Sequence, residues 1–170
     1  MLTLSLFRHA KSAWDDASLK DFERPLAPRG TRAAPAMAAF IHETGFKPDL
    51  VLCSAARRTR DTWALMSGTL GQPHTDYLQE LYEADAGTLL TSIRKTKAAV
   101  RHLMLVGHNP GLQSLAVNLI GSGDPADIEA ISAKLPTAAF VQIDLDVKTW
   151  RSVKPASGHL VRFMTPKRLP

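Results

Sequence analysis

The chain has 170 residues, 45% of them hydrophobic, and Lys and Arg outnumber Asp and Glu by 21 to 16 for a formal charge of +5; this suits one globular domain, residues 1–170, that favours anionic partners. A lone cysteine, Cys53, excludes an intramolecular disulfide and a cysteine-rich zinc knot, which fits a reducing compartment, so a cytoplasmic location is expected. Apolar runs such as Leu103 to Val106 fall far short of the roughly 20 residues that cross a bilayer, which excludes a transmembrane helix.

Leu2 to Phe7 is apolar and reads as a first strand, because Arg8 arrives before a signal-peptide core could form. After the polar stretch Lys11 to Pro28, the alanine-rich run Gly30 to Thr44 predicts a helix, with Pro35 near its first turn. Asp49 to Cys53 is a short buried strand, and an amphipathic helix from Arg57 to Leu70 stops at Gly71-Gln72-Pro73. Thr75 to Leu78 is a further strand and Gly87 to Thr96 a helix. Leu103 to Val106 is a strand, with a helix starting after Pro110. Ala138 to Leu145 and Gly158 to Met164 predict an antiparallel pair joined by the polar segment Asp146 to Ser157, and Thr165 to Pro170 is a surface tail. Strands alternating with helices imply an α/β, three-layer arrangement: a mainly parallel central sheet with helices on both faces, and function at the carboxyl ends of the strands.

Three of those strand ends carry residues suited to a phosphoryl group: Arg8-His9, Ser54 leading to Arg57-Arg58, and Gly107-His108-Asn109. Two imidazoles and two guanidinium groups at adjacent strand ends would form a cationic pocket for a dianion. In Gly107-His108-Asn109-Pro110-Gly111, Asn109 suits an N-cap and Pro110 a first helical residue, which would add free backbone N–H groups.

In these blocks the chain resembles the histidine phosphatase superfamily, which includes the phosphoglycerate mutases, and within it the short SixA-like phosphohistidine phosphatases. Its Arg-His-Gly signature stands here as Arg8-His9-Ala10, and its Arg-Pro-Leu element as Arg24-Pro25-Leu26. The Ser-x-x-x-Arg-x-x-x-Thr element runs from Ser54 through Arg58 to Thr62, and the second-histidine block is Gly107-His108-Asn109-Pro110. Ala10 in place of glycine is the one departure, and it asks for ordinary backbone dihedrals there. The resemblance implies a phosphoglycerate mutase-like fold, His9 as nucleophile, and Arg8, Arg58 and His108 on the phosphoryl oxygens. Arg24 would be a fourth phosphate contact and Glu80 the general acid, with Glu83 and Asp85 as rivals for that last role. No cofactor or metal is implied.

The expected partner is a phosphohistidine on another protein or a small phosphate ester, with neither membrane nor nucleic acid involved. Other readings fit less well. Mutases of this superfamily are longer than this chain. A phosphate- or nucleic-acid-binding module without catalysis would rest on the +5 charge and the Lys167-Arg168 tail, yet aromatics are only 6%. A cysteine phosphatase needs Arg six residues after the cysteine, and position 59 is Thr. A metal centre lacks any His-x-His or His-Glu-x-x-His spacing. Arg57 and Arg60 read as a solvated helix face with Asp61 as counter-charge. Trp14, Trp63 and Trp150 read as packing residues, with Trp14 near enough to His9 to line the pocket.

Overall fold

Alternate residues of the first strand feed two separate cores, which is why Leu2–Phe7 is apolar nearly throughout. Leu2, Leu4 and Leu6 pack into one cluster and Phe7 into the other. The computed structural model describes all 170 residues. It forms seven strands: β1 (Leu2–Arg8), β2 (Leu50–Ser54), β3 (His74–Leu78), β4 (His102–Gly107), β5 (Ile120–Ser122), β6 (Phe140–Leu145) and β7 (Gly158–Met164). They lie in one sheet in the order β3-β2-β4-β1-β6-β7-β5. β6 alone runs against the others, and it forms with β7 the antiparallel pair expected at the C-terminus.

Five helices cover the sheet: α1 (Pro28–Glu43), α2 (Arg57–Met66), α3 (Ala86–Arg94), α4 (Gly111–Leu119) and α5 (Pro125–Ala133). α1 and α2 pack Met37, Ile41, Trp63 and Met66 against Val51, Cys53, Met104 and Val106 on one face. The other face receives Leu89 and Ile93 from α3, Leu112, Leu115 and Leu119 from α4, and Ile131 from α5. The fold is therefore the three-layer α/β sandwich with a mostly parallel sheet that the alternation of elements implied.

Several details differ from the sequence reading. α1 starts at Pro28, a favoured first helical residue, so Pro35 lies inside the helix rather than in its first turn. It is tolerated on an exposed face, where water can serve the carbonyl left without a donor. Asn109 is not an N-cap: α4 begins at Gly111 after Pro110, and the Asn109 amide instead donates to the Leu135 carbonyl at 2.9 Å. α5 was not anticipated, although Asp124 caps it by accepting from Asp127 N at 3.0 Å and Pro125 opens it. β5 is three residues long and carries no periodic signal. The connection from 146 to 157 holds a fully buried Trp150, whose indole donates to the Val100 carbonyl at 2.7 Å. The tail docks through Arg168, which pairs with Asp127 at 2.7 Å.

Sheet register sets the position of the site. Arg8 lies beside Gly107 and Cys53 beside Val106, so the carboxyl ends of β1, β4 and β2 are neighbours. The chain turns out of the sheet there at His9, His108 and Ser54, as expected for an open α/β sheet.

Candidate active site

His9 and His108 leave adjacent strands and face each other with ring centroids 5.3 Å apart, both buried. Nδ1 of His9 lies 2.7 Å from the Ala10 carbonyl. A carbonyl only accepts, so Nδ1 carries the proton and Nε2 keeps its lone pair. Burial pushes the His9 imidazole down, the bond to Ala10 pulls it partly back, and Arg58, Arg8 and Arg24 push further, to about 4. Burial, His9 and Arg58 likewise hold His108 at about 3, against the opposing charge of Asp21. Both rings are therefore neutral near pH 7 before any anion binds. His108 Nε2 is 2.7 Å from the Ser54 hydroxyl, which ties the β4 turn to the end of β2.

Thr62 fastens the His9 turn to α2: its hydroxyl accepts from Ala10 N at 3.0 Å and donates to the Arg58 carbonyl at 2.7 Å. Ala10 is fully buried and has no positive φ, so the methyl group is accommodated as expected. Arg8 is anchored by Nη1 to the Leu135 carbonyl at 2.9 Å, and burial and the Arg58 charge lower its pKa. Arg58 and Arg24 are buried too, and Arg24 lies under the Trp14 ring, 3.3 Å from its centroid. Trp14 is 70% exposed, so it forms the rim of the site and is not a core packing residue. Buried donors without a partner concentrate here: Arg8 Nε and Arg58 Nε, together with the unpaired Nδ1 of His108. Such groups are costly unless something satisfies them.

Sequence reasoning missed Asp21. Its Oδ1 accepts from Arg24 Nε at 3.1 Å, its Oδ2 from Arg58 Nη2 at 3.1 Å, and its main-chain carbonyl from Arg58 Nη1 at 2.8 Å. The Tyr82 hydroxyl also donates to Oδ2, and the Tyr82 ring meets His108 edge-on at 5.6 Å. Burial opposes the charge of Asp21, yet Tyr82, Arg58 and Arg24 hold its carboxyl down at about 2. Burial and the bond to Asp21 push Tyr82 up to about 12. The signal available was position alone: Asp21 stands three residues before Arg24 in a stretch without periodicity.

The structure thus brings Arg8, His9, Arg24, Arg58 and His108 together. It does not bring Glu80 to them. Glu80 is exposed and lines a separate depression of about 380 Å³ with Asp49, His74, Asp76 and Lys95. Asp85 caps α3 by accepting from Thr88 N at 2.8 Å, and Glu83 is exposed on the loop between. Arg57 pairs with Asp61 at 3.5 Å and Arg60 lies over Tyr77, as a solvated face would. Cys53 is buried and its thiol is pushed up to about 12 by that burial, which leaves it an inert core residue.

The family model for the histidine phosphatase superfamily, branch 1, matches residues 4–103. The chain belongs to this superfamily. It is a phosphatase of the SixA-like kind, with the phosphoglycerate mutase-like fold. An uncharacterised protein of Mycobacterium tuberculosis is 36% identical over 162 residues, 94% of this chain and 99% of that one. A structure from Agrobacterium tumefaciens, assigned as the phosphohistidine phosphatase SixA, superposes with a TM-score of 0.83 at 28% identity and covers 97% of this chain and 98% of that one. A similarly assigned SixA from Nakamurella multipartitia gives a TM-score of 0.85 at 25% identity, covering 97% and 96%.

Proposed function

We propose that this phosphatase hydrolyses phosphohistidine on another protein, with His9 carrying the phosphoryl group between two half-reactions. The observation that carries the proposal is the 2.7 Å contact between His9 Nδ1 and the Ala10 carbonyl, from which the tautomer of His9 follows. Its Nδ1 proton is spent on Ala10, its pKa lies at about 4, and so Nε2 presents a lone pair at neutral pH. In the first step Nε2 attacks phosphorus in line, the P–N bond of the substrate breaks, and its electron pair leaves with a substrate ring already protonated on its other nitrogen. Neutral imidazole departs. Water then attacks the phosphoryl group on His9, loses a proton to solvent, and releases inorganic phosphate and the original ring.

Arg8, Arg58 and His108 bind the equatorial oxygens in this reading, with Arg24 as a fourth contact, and they follow the charge into the transition state. The dianion raises the pKa of His108, so the ring takes up a proton as phosphate binds. Guanidinium groups supply the charge that a divalent cation provides elsewhere, and the reaction needs no metal.

Support for a P–N rather than a P–O bond comes from the carboxylates. An alkoxide leaving group needs a proton donor, and Asp21, whose carboxyl group joins the cluster, is held ionised at about 2 as an acceptor from two arginines and a tyrosine, while Glu83 is exposed next to Tyr82. Glu80 lines a different depression. An imidazole leaving group relaxes this demand. The assignments of the Agrobacterium and Nakamurella relatives point the same way. A cytoplasmic location is part of the proposal, supported by the single buried cysteine; no helix is long and apolar enough to cross a membrane.

The test is phosphate release from a phosphohistidine protein, p-nitrophenyl phosphate, an alkyl phosphate, and 3-phosphoglycerate with a bisphosphoglycerate primer. The proposal expects the phosphohistidine protein to be turned over fastest, and His9→Ala to abolish release from every substrate. Faster release from the alkyl phosphate, or isomer exchange outrunning release, would overturn the substrate assignment.

A further inference from the structure

Away from the histidine pair, a cavity of about 160 Å³ is lined by Lys11, Arg29, Lys134 and Lys167 together with Thr137 and the buried Thr165. No acidic residue lines it. None of the four cations forms an ion pair, although the molecule has five pairs elsewhere. Nor does any of their side chains donate a hydrogen bond within the protein. Four like charges gathered around one void repel each other, and a bound anion is the simplest compensation.

The cavity is built by the fold, since its cations come from four separate segments. Lys11 follows the His9 turn, and its main chain presses against α1: a Cβ on Gly30 would meet the Lys11 carbonyl at 2.2 Å. Ala27 N donates to that same carbonyl at 2.9 Å, which fixes Lys11 beside the start of α1. Arg29 lies in the first turn of α1. That turn contains no acidic residue and its N-cap, Ala27, offers no side-chain acceptor, so the positive end of a 16-residue helix dipole is left uncompensated next to the cavity. Lys134 ends α5, and Lys167 sits in the short helix that docks the tail.

We propose that this cavity is a second anion site, distinct from the catalytic cluster, and that it takes a small tetrahedral oxyanion of the phosphate class. One of its walls is formed by Lys134, Pro136 and Thr137, in the segment 134–138. The same segment holds the catalytic turn, through the Leu135 carbonyl to Arg8 and Asn109, and through Ala138 N to the carbonyls of Arg8 and His9. The site therefore flanks the phosphoryl pocket and does not share its ligands.

Titration of the whole protein with inorganic phosphate, followed by amide chemical shifts, separates the two sites. Amides of Ala33, Thr137, Thr165 and Lys167 report the cavity, and those of Ala10 and Gly107 report the catalytic turns. The expected result is saturable movement of the cavity reporters that sodium chloride at matched ionic strength does not reproduce. In the double variant Arg29→Gln, Lys167→Gln the cavity Kd rises at least tenfold while the crevice reporters keep their wild-type midpoint. Lys134→Gln alone, on an exposed side chain, repeats the test with about a threefold rise should the double variant unfold. Cavity reporters that fail to saturate, that move equally with chloride, or that keep their midpoint in these variants would overturn the site.

Discussion

Asp21 and Arg58 are joined twice, through the main-chain carbonyl at 2.8 Å and through Oδ2 at 3.1 Å, so the guanidinium is oriented by one residue 37 positions earlier in the chain. The other carboxylate oxygen takes Arg24 at 3.0 to 3.1 Å. Asp21 is thus the common anchor of two of the proposed phosphate contacts. A bidentate arginine works only when its plane is fixed, and misplacement lowers the rate more than it lowers ground-state binding. Asp21→Asn should reduce kcat about tenfold, roughly 1.4 kcal/mol of barrier, with KM unchanged or lower because one negative charge has left the pocket. Steady-state kinetics check this, and a rise in KM at constant kcat would contradict it.

His108 is proposed to bind a developing oxyanion from a buried position. Its replacement by Ala should lower kcat about 10² to 10³-fold, the range seen when one preorganised donor is removed, while circular dichroism shows an intact fold. Isothermal titration with phosphate in buffers of different ionisation enthalpy should show net proton uptake by the wild type and less by His108→Ala. Equal uptake by the two proteins would contradict the role.

Stability should fall with acid well above the usual carboxylate range. His9 at about 4 and His108 at about 3 lie below their unfolded value of 6.5. Between those values the unfolded chain binds more protons than the folded one, so unfolding free energy rises with pH through that window and levels off above about 6.5. For His9 alone the full shift corresponds to on the order of 3 kcal/mol at 1.36 kcal/mol per unit. Urea midpoints in phosphate-free buffer should drop from pH 7 to pH 5, and the double variant His9→Ala, His108→Ala should flatten the slope. An unchanged slope would mean these rings are not the cause.

The strand ends were legible in the sequence because a residue following a buried apolar run must emerge at the sheet edge. Arg8-His9, Ser54 and Gly107-His108 were placed that way, and the register of β1, β4 and β2 brings them together. Asp21 and Tyr82 were not legible: they lie in connections whose path is set by pairing with Arg24, Arg58 and each other. Glu80 fits the acid role by sequence match alone, and the path of the chain after β3 places it at the depression beside α3. Asp124-Pro125 is a helix start, yet the helix behind it buries just one residue fully and so shows no apolar stripe.

Gly111 is the first residue of α4, directly after the His108 turn, and a Cβ there would meet the Ala84 carbonyl oxygen at 2.0 Å. Main chain cannot yield as a flexible side chain does. Gly111→Ala should therefore cost about 2 kcal/mol, in the range of overpacking substitutions, and lower Tm by about 5 °C for a domain of this size. It should also reduce activity by pushing the His108 turn away from the loop that carries Tyr82. A melting temperature within 1 °C of wild type would show that the loop gives way freely.

Covalent chemistry on His9 passes through a phosphohistidine that can be trapped. Rapid acid-free quenching with alkali after mixing enzyme and a ³²P-labelled phosphohistidine protein should leave label on the enzyme that survives alkali, is lost in acid, and maps to the peptide containing His9. The same label should form in the presence of EDTA and be absent from His9→Ala. Label recovered on another residue, or turnover by His9→Ala equal to wild type, would contradict the account.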